Sequence, residues 1–325
     1  MELSMECEPL ARSEALAVAR TLGTVSESVL EDNGVLVLET DANPAEFVRR
    51  IALCHSVSEF ICSCAPGEVE EEASLVDLPG PVRVHSTRIG TSHAEIDLNS
   101  VNRDVGAILA RNSGVDIHNP VSELRVVYSK GVYLGRLLGS VDRASYEARK
   151  TRNMPFDHPV SIHPKYARCL VNLTEVRPGE RLLDPFCGTG AILAEAALIG
   201  ADAVGADVSE RMIEGTRMNL DALNVKAHLH VSDVGLLAER VERADAVATD
   251  PPYGRSSSTN KEPLSSLMNR ALSSFSDVLD SGSKVAMAVH DVELLNGAES
   301  LKLRETFNLW VHRSLTRHFC VLERV

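Results

Sequence analysis

Apolar and polar positions alternate regularly along the second half of the chain. Short runs of small and branched apolar residues, typical of buried strands, are separated by longer segments in which apolar residues recur every three or four positions, as in helices. Strands are predicted at residues 181–185, 202–206, 227–231, 244–249 and 283–289. Helices are predicted at residues 163–174, 190–199, 209–222, 234–242, 263–279 and 291–298. Such alternation with short connections predicts a doubly wound parallel sheet.

The last part of the chain departs from this alternation. Two further strands are predicted at residues 301–310 and 314–323, and no helical pattern separates them. Consecutive strands with a short connection pair in the antiparallel direction. The second half is therefore predicted to be an α/β, Rossmann-like domain with a mostly parallel seven-stranded sheet that ends in an antiparallel hairpin.

The first half of the chain predicts an α+β domain instead. Its predicted helices cover residues 11–22, 44–54 and 99–112. Its predicted strands lie near residues 26–32, 34–39, 81–90, 123–129 and 131–138. Residues 149–157 are polar and basic and include Pro155, which is typical of a linker. We therefore predict one domain at residues 1–148 and a second at residues 158–325.

Composition is that of an ordinary globular chain, with 44% hydrophobic and 24% charged residues. No apolar run approaches the roughly 20 residues needed to cross a bilayer, and the N-terminus lacks the apolar core of a signal peptide. The seven cysteines are scattered, and Cys62 and Cys64 have no second pair at zinc-ligand spacing. We therefore expect a cytoplasmic protein with no membrane association and no metal.

Charge is distributed unevenly. The net charge is −13 overall, but residues 1–80 carry −12 of it and residues 130–181 carry +5. Because phosphate contacts act over about a Debye length, a local basic patch can bind nucleic acid despite an acidic total. The alternative is that Arg149, Lys150 and Arg152 belong to a solvated linker, and charge alone favours neither interpretation.

A glycine turn lies between the first two strands of the second domain, in "RLLDPFCGTGAILAEAALIGADAVGAD" at residues 181–207. A strand, a glycine turn, a helix and a second strand ending in an acid predict a nucleotide-type pocket above the strand ends. The dinucleotide fingerprint needs a third glycine three positions after Gly190, where this chain has Leu193. The pattern therefore argues against a dehydrogenase.

Four successive strands of this domain end in aspartate: Asp184, Asp207, Asp233 and Asp250. Any one of them could be a helix N-cap, but together they predict a negatively charged crevice. A carboxylate at the lip of the glycine turn would repel a pyrophosphate and attract an amino group or a sulfonium. Asp207 is placed to bind a ribose diol, and Asp233 or its neighbouring backbone is placed to accept from an adenine amine. The predicted cofactor is S-adenosylmethionine.

The fourth strand runs into "ATDPPYG" at residues 248–254. Two prolines end the strand and fix its exit, because each has a restricted φ and no N–H to donate. Asp250 and the proline carbonyls can only accept hydrogen bonds, and the Tyr253 ring is flat. The segment therefore predicts a rigid holder for a planar group that carries N–H donors.

"DPFCGTG" followed by "DPPYG" resembles the class I S-adenosylmethionine-dependent amino-methyltransferases. Residues 154–173 and 311–324 are similar to the archaeal tRNA guanosine N2-methyltransferases, and residues 115–135 resemble the end of their THUMP domain. The resemblance implies a class I methyltransferase domain at 158–325, a THUMP-like region at 56–148 and an extension at 1–55. It implies tRNA as partner, guanosine at position ten as target and one or two transferred methyl groups. No obligate protein partner is inferred.

The motifs, the basic stretch and the resemblance together give the expected site residues. Catalytic roles are expected for Asp250, Pro251, Pro252 and Tyr253. Cofactor contacts are expected for Asp184, Cys187, Gly188, Thr189, Gly190, Asp207, Val208, Asp233 and Val234, with the Cys187 side chain serving only in packing. Phosphate contacts to RNA are expected for Arg149, Lys150, Arg152, Lys165 and Arg255. The alternatives are an adenine N6- or protein glutamine N5-methyltransferase and a non-catalytic RNA-binding protein that holds the cofactor.

Overall fold

A computed structural model describes residues 1–26, 30–159, 161–253, 262–297, 299–312 and 315–325. The chain divides into two compact units. The first comprises Met1–Arg12, Leu22–Arg49 and Cys54–Val141. The second comprises Ser13–Thr21, Arg50–Leu53 and Asp142–Val325. The second unit thus takes in two short segments from the N-terminal half of the chain, which the hydrophobic pattern did not indicate.

The first unit contains one mixed sheet. Its strands are β1 (Glu2–Leu3), β2 (Leu30–Asp32), β3 (Val35–Val37), β4 (Cys54–Cys64), β5 (Val82–Arg88), β6 (Ser122–Tyr128) and β7 (Val132–Ser140). Among the described residues the sheet order is β2-β3-β1-β4-β7-β6-β5. The helices in the N-terminal half of the chain are α1 (Glu8–Leu22), α2 (Pro44–Arg50), α3 (Val69–Ser74) and α4 (Leu98–Leu109). The α+β prediction for this half is confirmed.

The longest strand of this first sheet was missed by the sequence pattern. The helix predicted at 44–54 ends at Arg50, and β4 begins at Cys54 and pairs with β1 and β7. Only part of this strand alternates between buried and exposed positions. Its serines and cysteines are neither strongly apolar nor strongly polar, so the period-two signal is weak.

The second unit contains a mostly parallel sheet. Its strands are β8 (Arg181–Asp184), β9 (Asp202–Asp207), β10 (His228–Val231), β11 (Ala244–Thr249), β12 (Leu279–Val289), β13 (Leu301–His312) and β14 (Leu315–Arg324). Its further helices are α5 (Arg143–Ala148), α6 (Pro164–Leu173), α7 (Ala191–Leu198), α8 (Glu210–Ala222) and α9 (Leu264–Val278). Among the described residues the order is β10-β9-β8-β11-β12-β14-β13, and β14 runs antiparallel to both of its neighbours, β12 and β13.

The predicted α/β sheet with its terminal hairpin is therefore confirmed, and two predicted helices are corrected. Residues 234–242 and 291–298 were predicted as α-helices, but Val234–Glu239 and Val292–Leu295 are short 3₁₀ helices. Both segments are too short to form a stable α-helix on their own. Part of the predicted linker, Thr151–Asn153, is also a 3₁₀ turn.

The topology of the second sheet fixes where a ligand can bind. The strand order reverses between β8 and β11, so the connections after these two strands diverge and leave a crevice at their carboxyl ends. Below that edge, β11 and β12 bury Val247 and Met287 against Phe275 of α9. This packed core gives the crevice a rigid floor.

A buried polar cluster joins the N-terminal segments of the second unit to α6. The carboxylate of Glu14 is fully buried and accepts hydrogen bonds from the amides of Ala52 and Leu53, at 3.0 and 2.7 Å, and from Asn172 Nδ2 at 2.7 Å. Asn172 Oδ1 in turn accepts from Arg50 Nε at 3.1 Å. Burial raises the pKa of Glu14 to about 7, although these hydrogen bonds act to lower it. The cluster ties residues 13–21 and 50–53 into the second unit.

Across the part of the chain that the structure describes, we find no helix with both the length and the apolar character needed to cross a membrane.

Candidate active site

A cavity of about 670 Å³ lies at the carboxyl ends of β8, β9 and β11, where the topology predicts a ligand. Nearly all of the predicted catalytic and cofactor-binding residues line it. They are Asp184, Cys187, Gly188, Thr189, Asp207, Val208, Asp233, Val234, Asp250, Pro251, Pro252 and Tyr253. Gly190 lies just behind this wall, as the N-cap of α7. The structure thus brings together residues that are up to 69 positions apart in the sequence.

The glycine turn follows β8 and depends on two left-handed residues. Gly188 has φ +51° and Gly190 has φ +83°, a region that residues with a Cβ rarely adopt. A Cβ on Gly190 would lie 2.7 Å from Cγ2 of Thr216 in α8. The Thr216 hydroxyl donates to the Gly188 carbonyl at 2.7 Å. Helix α8 therefore packs directly against the turn and holds its backbone open toward the cavity.

Asp207 ends β9 and braces the same turn. Its carboxylate accepts from the amide of Ser209 at 2.8 Å and from the amide of Gly188 at 3.2 Å. Burial raises its pKa, while the two amide donors oppose that shift. Each carboxylate oxygen can accept more than one hydrogen bond, so Asp207 retains acceptor capacity for a ribose diol.

Asp184 ends β8 and is only 1% exposed. Its Oδ1 accepts from the Thr249 hydroxyl at 2.7 Å and from the Phe186 amide at 3.2 Å. Burial raises the pKa of Asp184 to about 7, and the carboxylates of Asp250 and Asp207 act in the same direction. Such a carboxylate is best stabilised by an incoming cation.

Asp233 differs from Asp184 and Asp207 because a protein cation already neutralises it. Its carboxylate pairs with Arg270 of α9, which also binds Glu262 at 2.7 Å. This pairing lowers the pKa of Asp233. Asp233 also accepts from the amide of Gly235 at 2.8 Å as a helix cap. Since the carboxylate is occupied, the neighbouring backbone is the better placed of the two predicted acceptors for an adenine amine.

Asp250 and Tyr253 contact each other at the exit of β11. The Tyr253 hydroxyl donates to Asp250 Oδ1, and the Tyr253 ring lies 5.5 Å from the His290 ring. Burial raises the pKa of Asp250, and the nearby positive charge of Arg317 opposes that shift. The proline-stiffened segment therefore presents a carboxylate that is only 12% exposed, together with an aromatic ring, to the same space.

Sequence reasoning missed Arg317 and Arg270. Both contact predicted aspartates. Arg270 lies in α9 and Arg317 in β14, within the segment 311–324 that resembles the family, and neither is adjacent in sequence to the aspartate that it contacts. The fold brings each arginine next to its carboxylate from a distant part of the chain, and a single sequence does not reveal such contacts. The sequence did offer one clue: four aspartates were predicted to lie close together, and buried carboxylates are normally paired with a cation.

The residues predicted to bind RNA have different environments. Arg149 pairs with the buried Glu195 at 2.7 Å, and Lys150 pairs with Glu147 at 2.5 Å. Lys165 Nζ lies 4.8 Å from the centre of the Tyr166 ring, and Arg152 is exposed. Arg255 lies outside the described residues. The ion pair gives Arg149 a structural role, and RNA contact by any of these residues stays a prediction.

Cys187 is buried in the turn, and its backbone amide donates to the Ala206 carbonyl at 3.0 Å. Burial raises the pKa of the Cys187 thiol well above its usual value, and the charges of Asp184 and Asp207 add to this. A neutral, buried thiol is a poor nucleophile. The packing role that the sequence suggested agrees with this environment.

Comparison with known proteins agrees with this geometry. Residues 149–318 match a family model described as "RMKL-like, methyltransferase domain". A tRNA (guanine(10)-N2)-dimethyltransferase of Methanothermobacter thermautotrophicus is 35% identical, and the match covers 99% of this chain and 98% of that protein. The enzyme of the same name from Pyrococcus abyssi is 28% identical over 95% of each chain.

Among solved structures, TrmN from Thermus thermophilus superposes with a TM-score of 0.52 at 25% identity, over 84% of each chain. The family model covers about half of the sequence, and the relatives cover nearly all of it. The chain therefore belongs to the archaeal tRNA (guanine(10)-N2)-dimethyltransferase family and is an S-adenosyl-L-methionine-dependent methyltransferase.

Proposed function

We propose that this protein methylates the exocyclic N2 amine of a guanosine in tRNA, at position ten as in its named relatives. One observation carries the proposal. The buried acceptor cluster of Asp250 and Pro251, with the Tyr253 ring, lines the same cavity as the glycine turn and Asp184. A holder for an amine and a holder for a cationic methyl donor therefore share one cavity.

The cavity wall fits the methyl donor. The side-chain-free backbone at Gly188 and Gly190 allows close approach to a ligand, and a Cβ on Gly190 would displace Thr216. Asp184 suits the donor's positive charge, Asp207 its ribose hydroxyls, and Val208 and Val234 its adenine ring. S-adenosylmethionine supplies an electrophilic methyl group on a sulfonium. The protein's part is to hold the acceptor amine in line with that group.

The DPPY segment prepares the amine. The nitrogen lone pair of an exocyclic amine is delocalised into the base ring, which makes the amine a weak nucleophile. Asp250 and the Pro251 carbonyl are placed to accept its two N–H groups and so to draw the nitrogen toward a pyramidal form. Tyr253 is suited to stack on the base. Asp250 is also the natural first acceptor of the proton that the amine loses.

The substrate RNA must deliver its base into this cavity. A base within folded tRNA is stacked, and turning it out costs a few kcal/mol. We propose that the basic stretch at residues 130–181 and a THUMP-like region at residues 56–148 supply this energy by gripping the RNA backbone. The predicted limits at 1–55, 56–148, 149–157 and 158–325 are part of the same proposal.

The test is methylation of transcript tRNA with isotopically labelled S-adenosylmethionine, followed by mass spectrometry of the nucleosides. We expect N2-methylguanosine or N2,N2-dimethylguanosine, and loss of the label when the guanosine at position ten is replaced by adenosine. Formation of N6-methyladenosine would move the assignment to an adenine methyltransferase. Labelled protein with unlabelled RNA would favour a glutamine methyltransferase.

Two variants make this test specific. Asp250→Ala should abolish transfer and leave cofactor binding within about twofold, because Asp250 belongs to the amine side of the cavity. Cys187→Ala should keep most of the activity, because its thiol is neutral and buried. A wild-type protein that binds the cofactor yet methylates no RNA would point to a non-catalytic RNA-binding protein.

A further inference from the structure

Arg317 lies in β14, the strand that carries the terminal hairpin back to the sheet. Its neighbour His318 pairs with Val289, the last residue of β12, so Arg317 lies at the carboxyl edge of the sheet. That edge also carries the cavity. The hairpin, which departs from the parallel pattern, thereby brings a cation to the catalytic edge.

The contacts of Arg317 converge on the two functional side chains of the DPPY segment. Its Nη2 lies 3.6 Å from Asp250 Oδ2, and its guanidinium carbon lies 5.6 Å from the centre of the Tyr253 ring. Tyr253 donates to the other carboxylate oxygen, Oδ1. The three groups therefore form a closed triangle in which each side chain contacts the other two.

The burial of this arginine distinguishes it from a surface cation. Its side chain and that of Asp250 are each 12% exposed. Its Nε is also buried and has no hydrogen-bond partner among the described residues. An arginine donor that is removed from water and has no partner costs free energy of folding, so the position of Arg317 calls for an explanation.

We propose that Arg317 is a positioning residue for methyl transfer: it holds the Asp250 carboxylate as a charged acceptor and fixes the Tyr253 ring beside it. The proposal rests on the proposed function, because it assumes that Asp250 accepts from the target amine. With Arg317 present, the amine meets an ionised carboxylate whose orientation is set from both oxygens. Without it, the Tyr253 hydroxyl contacts one carboxylate oxygen of Asp250 and no cation in the described part of the chain opposes uptake of a proton.

Other charged and titratable groups also face this pair. Asp184, at the end of β8, is a neighbouring carboxyl whose own pKa is raised by burial and also by the charge of Asp250. Tyr253 donates to Asp250, and the ring of His290, which follows β12, contacts Tyr253. Arg317 is therefore the described cation that opposes burial at Asp250, and its removal should raise the pKa of Asp250.

The experiment compares Arg317→Gln and Arg317→Lys with wild type in the methylation of transcript tRNA across pH 5.5–9. We expect Arg317→Gln to lower kcat by about tenfold or more, with the cofactor Kd unchanged within twofold. Its acidic limb in kcat/KM should move to higher pH by about one unit. Arg317→Lys should restore the wild-type limb and part of the rate, because lysine keeps the charge but loses the guanidinium geometry.

Arg304→Gln is the matched control. Arg304 lies in the same hairpin and pairs with Glu323 at 2.8 Å, but at the end away from the cavity. It should match wild type in rate and pH profile. A merely structural Arg317 would lower the melting temperature or the rate without moving the acidic limb, and that result would overturn the proposal.

An active wild type with an equally active Arg317→Gln variant would also overturn the inference while leaving the proposed function intact. An inactive wild type would instead reject the proposed function. If Arg317→Gln does not fold, the Arg317→Lys variant tests the proposal. It must keep the acidic limb of the wild-type pH profile and show a lowered kcat.

Discussion

At the level of single residues, Asp184 and Asp250 of the cavity have different partners for their carboxylates. Asp250 faces Arg317, whereas Asp184 accepts from a hydroxyl and an amide that carry no charge. Asp184 therefore has a pKa of about 7, raised mainly by burial. Near neutral pH Asp184 is therefore only partly ionised, and binding of a cationic ligand should favour its ionised form. The affinity for the cofactor should for this reason depend on pH.

We predict that the Kd for S-adenosylmethionine rises about tenfold between pH 8 and pH 6. Asp184 is mostly ionised at pH 8 and mostly protonated at pH 6, and only the ionised form attracts the ligand's positive charge. Calorimetry at several pH values would measure this. Asp184→Asn should bind more weakly and lose most of the pH dependence, and a wild-type Kd that is constant over this range would contradict the prediction.

At the level of elements, the glycine turn is set by its contact with α8 as well as by its backbone angles. Gly190 and Gly179 have almost the same φ, +83° and +84°. A Cβ on Gly190 would clash with Thr216, whereas a Cβ on Gly179 would meet no atom within 4 Å. Alanine substitutions at Gly179 and Gly190 therefore distinguish two costs in folding free energy: that of a left-handed alanine backbone, which both share, and that of the clash with Thr216, which only Gly190 has.

We predict that Gly179→Ala lowers the free energy of unfolding by about 1 kcal/mol, the ordinary cost of a left-handed alanine. Gly190→Ala should lower it by about 3 kcal/mol, because the clash adds to that cost. Gly190→Ala should also weaken cofactor binding, since the turn forms the cavity wall. Denaturant unfolding and cofactor titration measure both effects, and equal losses for the two variants would show that α8 does not constrain the turn.

The sequence predicted the elements of the second sheet well because each has a local signal. Strands such as β11 are short and largely made of small apolar residues, and glycines or prolines mark their ends. The four aspartates could be placed together because parallel strands end at one edge. Strand β4, the short 3₁₀ helices and the pairing of Arg317 could not be predicted, because each depends on packing between distant parts of the chain.

At the level of the whole molecule, the uneven distribution of charge bears on the proposed binding of RNA. Most of the net charge of −13 belongs to residues 1–80, while residues 130–181 are basic. Arg152 and Arg177 are both exposed in this basic stretch. Arg177 lies just before β8, at the amino edge of the sheet, whereas the cavity lies at the carboxyl edge.

We predict that Arg152→Glu weakens tRNA binding about three- to tenfold and reduces the slope of log K against log salt by about 1. Arg177→Glu makes the same change in net charge away from the cavity and should have a much smaller effect. Fluorescence anisotropy with labelled tRNA at several salt concentrations measures both. Equal weakening by the two variants would mean that only total charge matters.

The discontinuous second unit gives a further prediction. A fragment of residues 142–325 lacks Glu14 and Arg50, so the buried side chain of Asn172 loses its partners. We expect this fragment to aggregate or to unfold without a cooperative transition, and co-expression with residues 1–141 to restore cofactor binding. Circular dichroism and cofactor titration would decide, and a fragment that folds and binds alone would contradict the prediction.

The same arrangement constrains how a cell makes this protein. Residues 13–21 and 50–53 leave the ribosome early, but Asn172 of α6 is translated more than a hundred codons later. At a synthesis rate of about 5–20 residues per second, the buried carboxylate of Glu14 has no partner from α6 for many seconds. Helix α1, which carries Glu14, therefore has to stay accessible until α6 has been translated. Chaperones that shield such exposed segments should affect the yield of active enzyme.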